Sequence, residues 1–489
     1  MKKIAKFLIV LGMMGQLSSC DYLDIVPDER AQESDTWKTE GAVRGYLYSC
    51  YGYLPANRTF GNSYWLAEEL TAVTKELFTT FKYGYYSPVS LGFTSNTWST
   101  IWNGIHQCYM FQESLKQVSN EYVTDEMKKQ YLAESNFLIA YYHFLSMRSY
   151  GPTMIIRSVI DLETPISGFP ERSSIDEVVA FINEKLDEAM SEGGLPTTWS
   201  GKDYGRATRL AALALKSRVY LYAASPLYNG NTEMYADFRS PLDGRQLIAQ
   251  EKSQAKWEIS ATQTKYAIDE VEKAKFHLYH DADAGEPSDA KPGLPNKAQR
   301  RLRYTNIDNQ TGNNPEIIWA DTRNDDYYGI QRRCPPRQTL GGKFAGISMT
   351  NCPTLQTIEA FYTKNGLPIN KDKTFDYDER YEYINAPENC DGNNYEDLVK
   401  YANFTPSSDK VMRLCTDREP RFYAWTTYHN GYFEFGKYNN EEISADPAKR
   451  AIRIHLLRDD PHGRGNRTDQ EYSISGFGNK KGVVPSAEW

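Results

Sequence analysis

The stretch GRATRLAALALKSRVYLYAASPLYNG, residues 205–230, decides the fold. It reads as one helix closed by Pro226 and Gly230. Leu210, Leu213, Ala214, Ser217, Leu221 and Ala224 recur at helical spacing and fill one face, which Val219, Tyr220 and Tyr222 widen. Ala211, Ala212 and Ala214 carry so little side chain that a second helix can approach closely. Such a helix is either the central rung of a helical scaffold or an ordinary buried core helix. Its neighbours decide between the two.

Those neighbours are further helices. Thr39 precedes one with Val43, Tyr46, Leu47, Cys50, Tyr51 and Leu54 inward, ending near Pro55. Residues 65–77 suggest a short helix, and the Tyr-, Gly- and Ser-rich run 79–97 a loop. Asn96 or Thr97 is expected to cap the next helix, marked by Trp98, Ile101, Trp102, Ile105, Cys108, Phe111, Leu115 and Val118. Thr124 caps another, with Asp125 and Glu126 favourable in its first turn, and Gly151-Pro152 stops it. The run 174–177, SIDE, is a capping box. Val178, Ile182, Leu186 and Met190 follow it at helical spacing. A last helix is expected over 255–276.

The spacing therefore predicts a mainly α chain. Residues 39–280 form a tetratricopeptide-like helical repeat scaffold, with 98–119 paired to 125–149 and 175–191 paired to 208–224. From 281 to 489 Pro, Gly, Asn and Asp become frequent. This half is expected to be irregular and loop-rich with short strands, such as 317–319 and 451–457.

Composition sets limits on function. The chain has 489 residues, enough for more than one compact unit. Its net charge of −8 argues against binding nucleic acid or anionic lipid by bulk electrostatics. Aromatic residues make up 13%, with 36 Tyr, and Tyr suits wet surfaces that meet flat hydroxylated ligands. Most of these rings must still serve as core and rim of stacked helices.

The N-terminus carries an address. Lys2, Lys3 and Lys6 precede an apolar run, 7–14, too short to span a bilayer. Leu17-Ser18-Ser19-Cys20 then reads as a bacterial lipobox, so residues 1–19 are a lipoprotein signal peptide and Cys20 is the lipid anchor. A multiply acylated Cys20 would anchor the chain stably, and 20–38 would be an extended leader. The other six cysteines show no CxxC pair, so a zinc site is not expected. Cys50 and Cys108 lie on apolar helical faces and read as small buried hydrophobes. An exported compartment permits disulfides, but spacing assigns no pairs.

Catalytic and cofactor motifs are missing. There is no HExxH, GxSxG, P-loop or strand-linked GxGxxG, and no cofactor is expected. His277 and His280 read as solvated residues near a helix end. The acidic run 281–286 lacks the calcium-loop pattern and reads as a solvated loop. Carboxylate pairs for glycoside hydrolysis have no sequence signature.

Several pieces, in order, resemble the SusD/RagB-like outer-membrane lipoproteins. They are the lipobox with DYLD at 21–24 and Pro27; 98–115; YLAESNF at 131–137 running into AYYHF at 140–144 and YGP at 150–152; GRAT at 205–208 with RVYLYA at 218–223; FYTKNGLP at 361–368; and DREPRFY at 417–423. The resemblance implies a non-catalytic surface lipoprotein that binds an oligosaccharide, or in some members a peptide, and serves a SusC-like TonB-dependent porin. The family usually continues past a segment like 475–481 into closing helices, whereas this sequence stops at Trp489. Without such helices an apolar face of the scaffold would be uncovered.

A sugar site needs ring faces on loops beside polar groups. Two regions qualify, and the resemblance points to the same two. One is Tyr83, Tyr85 and Tyr86 with Trp98 at the following helix start. The other is Trp319 with Arg323, Tyr327 and Tyr328. Core or lid packing is the competing role for each ring. An exported glycoside hydrolase on a helical framework is the rival function.

Overall fold

In the computed structural model the described residues are 37–55, 68–72, 94–161, 163–293, 296–308, 314–323, 330–336, 349–385, 410–438, 441–458, 460, 462–463 and 472–485. The signal peptide, Cys20, nearly all of the leader, and Tyr83, Tyr85, Tyr86, Tyr327 and Tyr328 lie outside them. The chain divides into two compact units, each discontinuous in sequence.

The first unit takes in residues 1–53, 101–195 and 231–250. Its longer described helices are α1 (Glu40–Tyr51), α2 (Thr94–Leu115) from Ile101 onward, α3 (Asp125–Tyr150) and α4 (Ile175–Ala189). Their starts are set by local chemistry. The Thr39 and Thr124 hydroxyls accept from the N–H groups of Ala42 and Met127. Ser174 and Glu177 close the expected capping box. Gly151, at φ +72°, ends α3 as the sequence suggests.

α3 is the hub of this unit and packs on both α1 and α4. Val43 and Leu47 of α1, Phe137, Leu138 and Phe144 of α3, and Val178, Ile182 and Leu186 of α4 are all buried. Each such side chain contributes about 1.5–3 kcal/mol on burial. Polar groups inside are matched: Tyr51 Oη donates to Glu134 at 2.6 Å. Fully buried His143 is fixed as one neutral tautomer. Its Nδ1–H donates to Ile139 O at 2.7 Å, while Nε2 accepts from the Ile156 N–H at 3.3 Å. Burial pushes its pKa down to about 4.

The second unit takes in 54–100, 196–230 and 251–489. The helix quoted first is α5 (Arg209–Ala224), N-capped by Thr208, whose hydroxyl accepts from Ala211 N–H. α5 packs on α6 (Gln254–Lys273). Small residues bring them together, and Ser217 Oγ meets Thr264 Oγ1 at 2.7 Å. Farther on, α7 (Lys297–Tyr304) packs on α9 (Pro420–Trp425), and α8 (Leu355–Ala360) borders a cluster built on Ile358, Leu414 and Phe422. A buried ionic triad ties this half: Glu434 accepts from Lys480 at 2.7 Å and from Arg303 Nε at 3.2 Å. Burial holds Lys480 down to about 8 even with that carboxylate beside it.

Strands are short. Among the described residues they form six two-stranded antiparallel sheets, including Tyr432–Glu434 with Ala451–Arg453 and Tyr383–Asn385 with Lys410–Met412.

Several expectations change. α2 begins at Thr94, upstream of Asn96 and Thr97, because the polar run 94–97 offers several competing starts. Trp98 is thus inside the helix. The described part of 65–77 holds a strand, Leu70–Thr71, paired with Cys352–Pro353. Residues 317–319 hold no strand, with bends at Ile318 and Trp319, and 451–457 is strand only over Ala451–Arg453. The acidic run opens with a helical turn, Asp281–Ala284. α2 meets α3 as expected, with Gln112 Nε2 donating to Ser135 Oγ at 3.1 Å and Ser135 Oγ to Cys108 O at 3.2 Å, while α3 also packs on α4 and α5 on α6. Leu221, expected inward, is half exposed. It lines an apolar groove of about 510 Å³ with Ala214, Ala267, Ile268 and Val271. No helix among the described residues is long and apolar enough to cross a membrane.

Candidate functional site

The GRAT run at 205–208 builds a small site in the second unit, and each of its residues has a physical task. Gly205 sits at φ +99°, where a Cβ would stand 2.9 Å from Thr322 Cγ2 and 3.3 Å from Ala320 O. Only glycine lets the loop pass that close. Arg206 is buried, places its guanidinium carbon 4.0 Å from the Trp199 ring centre, and donates to Asp203 at 2.8 Å. Ala207 is fully buried, and Thr208 starts α5.

Two indoles hang on this loop. Trp199 Nε1 donates to Ala207 O at 2.9 Å, and Trp319 Nε1 donates to Gly205 O at 2.8 Å. Both polar edges are therefore satisfied against backbone, and both rings remain half-buried. Trp199, Tyr204, Arg206, Trp319, Thr197 and Thr198 line one pocket. Burial raises the Tyr204 hydroxyl above the usual phenol range, so it stays a neutral donor and acceptor. The enclosed space is only about 30 Å³. A ligand would lie across the rings and hydroxyls instead of sinking between them.

Of the expected residues, Trp319 is at this site. Arg323 is close in sequence but fully engaged. It grips Asp321 through Nε at 2.8 Å, and donates to Leu54 O at 3.0 Å and Pro55 O at 2.9 Å. Burial of Asp321 opposes ionisation, but the Arg323 bonds prevail and hold its carboxyl below the usual range. Arg323 thus clamps the chain after Trp319. Trp98 is half-buried in the second turn of α2 and is not among the residues lining this pocket. The five tyrosines lie outside the described residues. Trp199 and Tyr204 were missed, although the run 199–204, WSGKDY, is an aromatic loop with a glycine, the same signal that singled out the other two regions.

No group of three or more His, Cys, Asp or Glu among the described residues is placed to hold a metal ion. His277 and His280 stack with ring centres 5.1 Å apart beyond the end of α6.

Comparison with known proteins follows the same lines. A family model described as starch-binding associating with outer membrane matches residues 21–221, and a SusD family model matches 315–487. No curated protein matches. Among solved structures, BT4246 is 27% identical with a TM-score of 0.73, over 91% of this chain and 73% of that one. A SusD-like protein of Bacteroides fragilis, BF3747, is 19% identical with a TM-score of 0.60, over 94% and 71%. A SusD-like carbohydrate binding protein of the same species, BF0978, is 17% identical with a TM-score of 0.53, over 91% and 68%. The two family matches span well over half of the sequence and the structural likeness runs through nearly all of it; the chain belongs to the SusD/RagB-like family.

Proposed function

We propose that this protein is a non-catalytic, surface-exposed outer-membrane lipoprotein, anchored through Cys20, that binds an oligosaccharide and delivers it to a SusC-like TonB-dependent porin. One observation carries the binding part: Trp199 and Trp319 spend their N–H groups on backbone carbonyls and keep half-buried faces beside Tyr204 and Arg206. Rings fixed in that way offer rigid apolar area to sugar C–H faces at low entropic cost. The family description, starch-binding with outer-membrane association, agrees with it. The lipobox supports the anchor, and the family resemblance supports the porin.

Calorimetry against a panel of neutral and acidic oligosaccharides and peptides tests the reading. One glycan is expected to bind, and Trp199→Ala or Trp319→Ala to weaken it about tenfold, the loss of a good ring stack. Trp98→Ala reports whether the first region contributes. Binding of peptides alone, turnover of the bound glycan, or wild-type affinity in both variants would overturn the proposal. Fatty-acid labelling lost in Cys20→Ala checks the anchor, and co-purification with the porin checks the partner.

A further inference from the structure

The first unit contains a pair of cysteines with a defined geometry. Three contacts set an antiparallel register between α1 and α2. Tyr46 stacks on Phe111 with ring centres 5.8 Å apart. Gln107 Nε2 donates to Ser49 Oγ at 2.9 Å. Just past the end of α1, an added Cβ at Gly104 would stand 3.0 Å from the Cβ of Tyr53, so the chain passes close to α2 there. One helical turn from that closest approach, the same register sets Cys50 opposite Cys108. Both side chains are fully buried and free, and Cys50 Sγ donates weakly to Tyr46 O at 3.7 Å. Neighbouring groups hold each in place: Tyr142 Oη donates to Cys50 O at 2.5 Å, and Ser135 Oγ to Cys108 O at 3.2 Å. Helices that approach this closely can bring two Cβ atoms into the range of about 3.5–4.5 Å that a disulfide needs.

We propose that Cys50 and Cys108 are a disulfide-forming pair that staples α1 to α2 when the chain meets a disulfide oxidant. The oxidant class is a small-molecule or protein disulfide, such as oxidised glutathione. One cysteine thiolate attacks a glutathione sulfur, breaks its S–S bond and releases one glutathione thiolate. The second cysteine thiolate attacks the protein sulfur of the mixed disulfide and releases the other. One S–S bond is broken and one is made. Two electrons pass to glutathione, and the two protons lost by the cysteines end on the two glutathione thiols. The exported compartment expected from the N-terminus supplies such conditions. Burial, and the neighbouring Cys50 thiol, raise the Cys108 thiol well above its usual range. The thiolate is therefore scarce once the helices are docked, and the bond forms as α1 docks or when it briefly opens.

The test uses the full chain, purified reduced and incubated with oxidised glutathione, with and without a brief urea pulse, then alkylated and peptide-mapped. After the pulse a cross-linked peptide joining Cys50 and Cys108 is expected, lighter by two hydrogens. Free thiols fall by two, and the melting temperature rises above that of the reduced protein. Without the pulse the same product forms more slowly. Cys50→Ser gives no cross-link to Cys108. Two free or glutathionylated cysteines in both arms, pairing with any other cysteine, or a lower melting temperature in the cross-linked form would overturn the proposal.

Discussion

His143 and Gly205 show how single residues constrain this protein. His143 is wholly buried, makes two hydrogen bonds only as the neutral ring, and has its pKa pushed down to about 4 by burial. The unfolded chain would protonate it near the ordinary value of about 6.5. Its folded-state pKa is depressed, so the unfolded state binds the extra proton first as pH falls. Its stabilising effect is complete above about 6.5 and is lost progressively down to about 4, by about 3 kcal/mol in all. An NMR titration should place this ring near pH 4, and the denaturant midpoint should slide over the same window. A ring titrating between pH 6 and 7 would contradict the argument. Gly205 offers a second test, because Gly201 is a built-in control. Both have positive φ, but a Cβ at 201 meets nothing within 4 Å, whereas at 205 it meets Thr322. Gly201→Ala should cost only the backbone strain, about 1 kcal/mol, and leave ligand affinity unchanged. Gly205→Ala should cost about 1–3 kcal/mol more and weaken the ligand too, since the carbonyl that holds Trp319 must move.

For whole elements, sequence legibility tracked the range of the forces involved. Helix starts at Glu40, Asp125 and Ile175 were readable because Thr39, Thr124 and Ser174 cap them within three residues, whereas the helix read over 205–230 spans only Arg209–Ala224. The strands were not, because two-residue pairings such as Leu70–Thr71 with Cys352–Pro353 join segments far apart in sequence, and neither partner has a period of its own. The site was half readable for the same reason. Trp319 stood out as a loop aromatic, but its union with Trp199 depends on two long-range bonds to the GRAT backbone. Helical periodicity likewise marked the α5 stripe without saying where burial stops. Val219 is fully buried, while Leu221 is 50% exposed in the groove beside α6. Chemical denaturation should therefore reverse the order that side-chain size suggests. Val219→Ala should cost on the order of 2 kcal/mol through the cavity it leaves. Leu221→Ala should cost less than about 1 kcal/mol, since half of its surface is already in water. A larger loss at Leu221 would mean that the groove is occupied in solution.

For the molecule as a whole, charge separates two ways of holding a sugar. The chain is acidic, with a net charge of −8, so its long-range field would repel a polyanionic glycan. The cation lining the indole pocket does not reverse this, because Arg206 is paired with Asp203, and Arg323 nearby in sequence is paired with Asp321. What remains is ring face and neutral hydrogen-bonding groups, and these are insensitive to screening. The Debye length falls from about 30 Å at 0.01 M salt to about 3 Å at 1 M. Across that range the affinity for a neutral oligosaccharide should change by less than about twofold, because stacking and neutral hydrogen bonds carry no net charge. A glycan bearing carboxylates or sulfates should bind weakly at low salt and gain as salt rises, because screening removes the repulsion. Calorimetry of one matched neutral and acidic pair across the salt series decides it. Tight acidic-glycan binding that collapses with added salt would place the ligand on a basic surface away from Trp199 and Trp319.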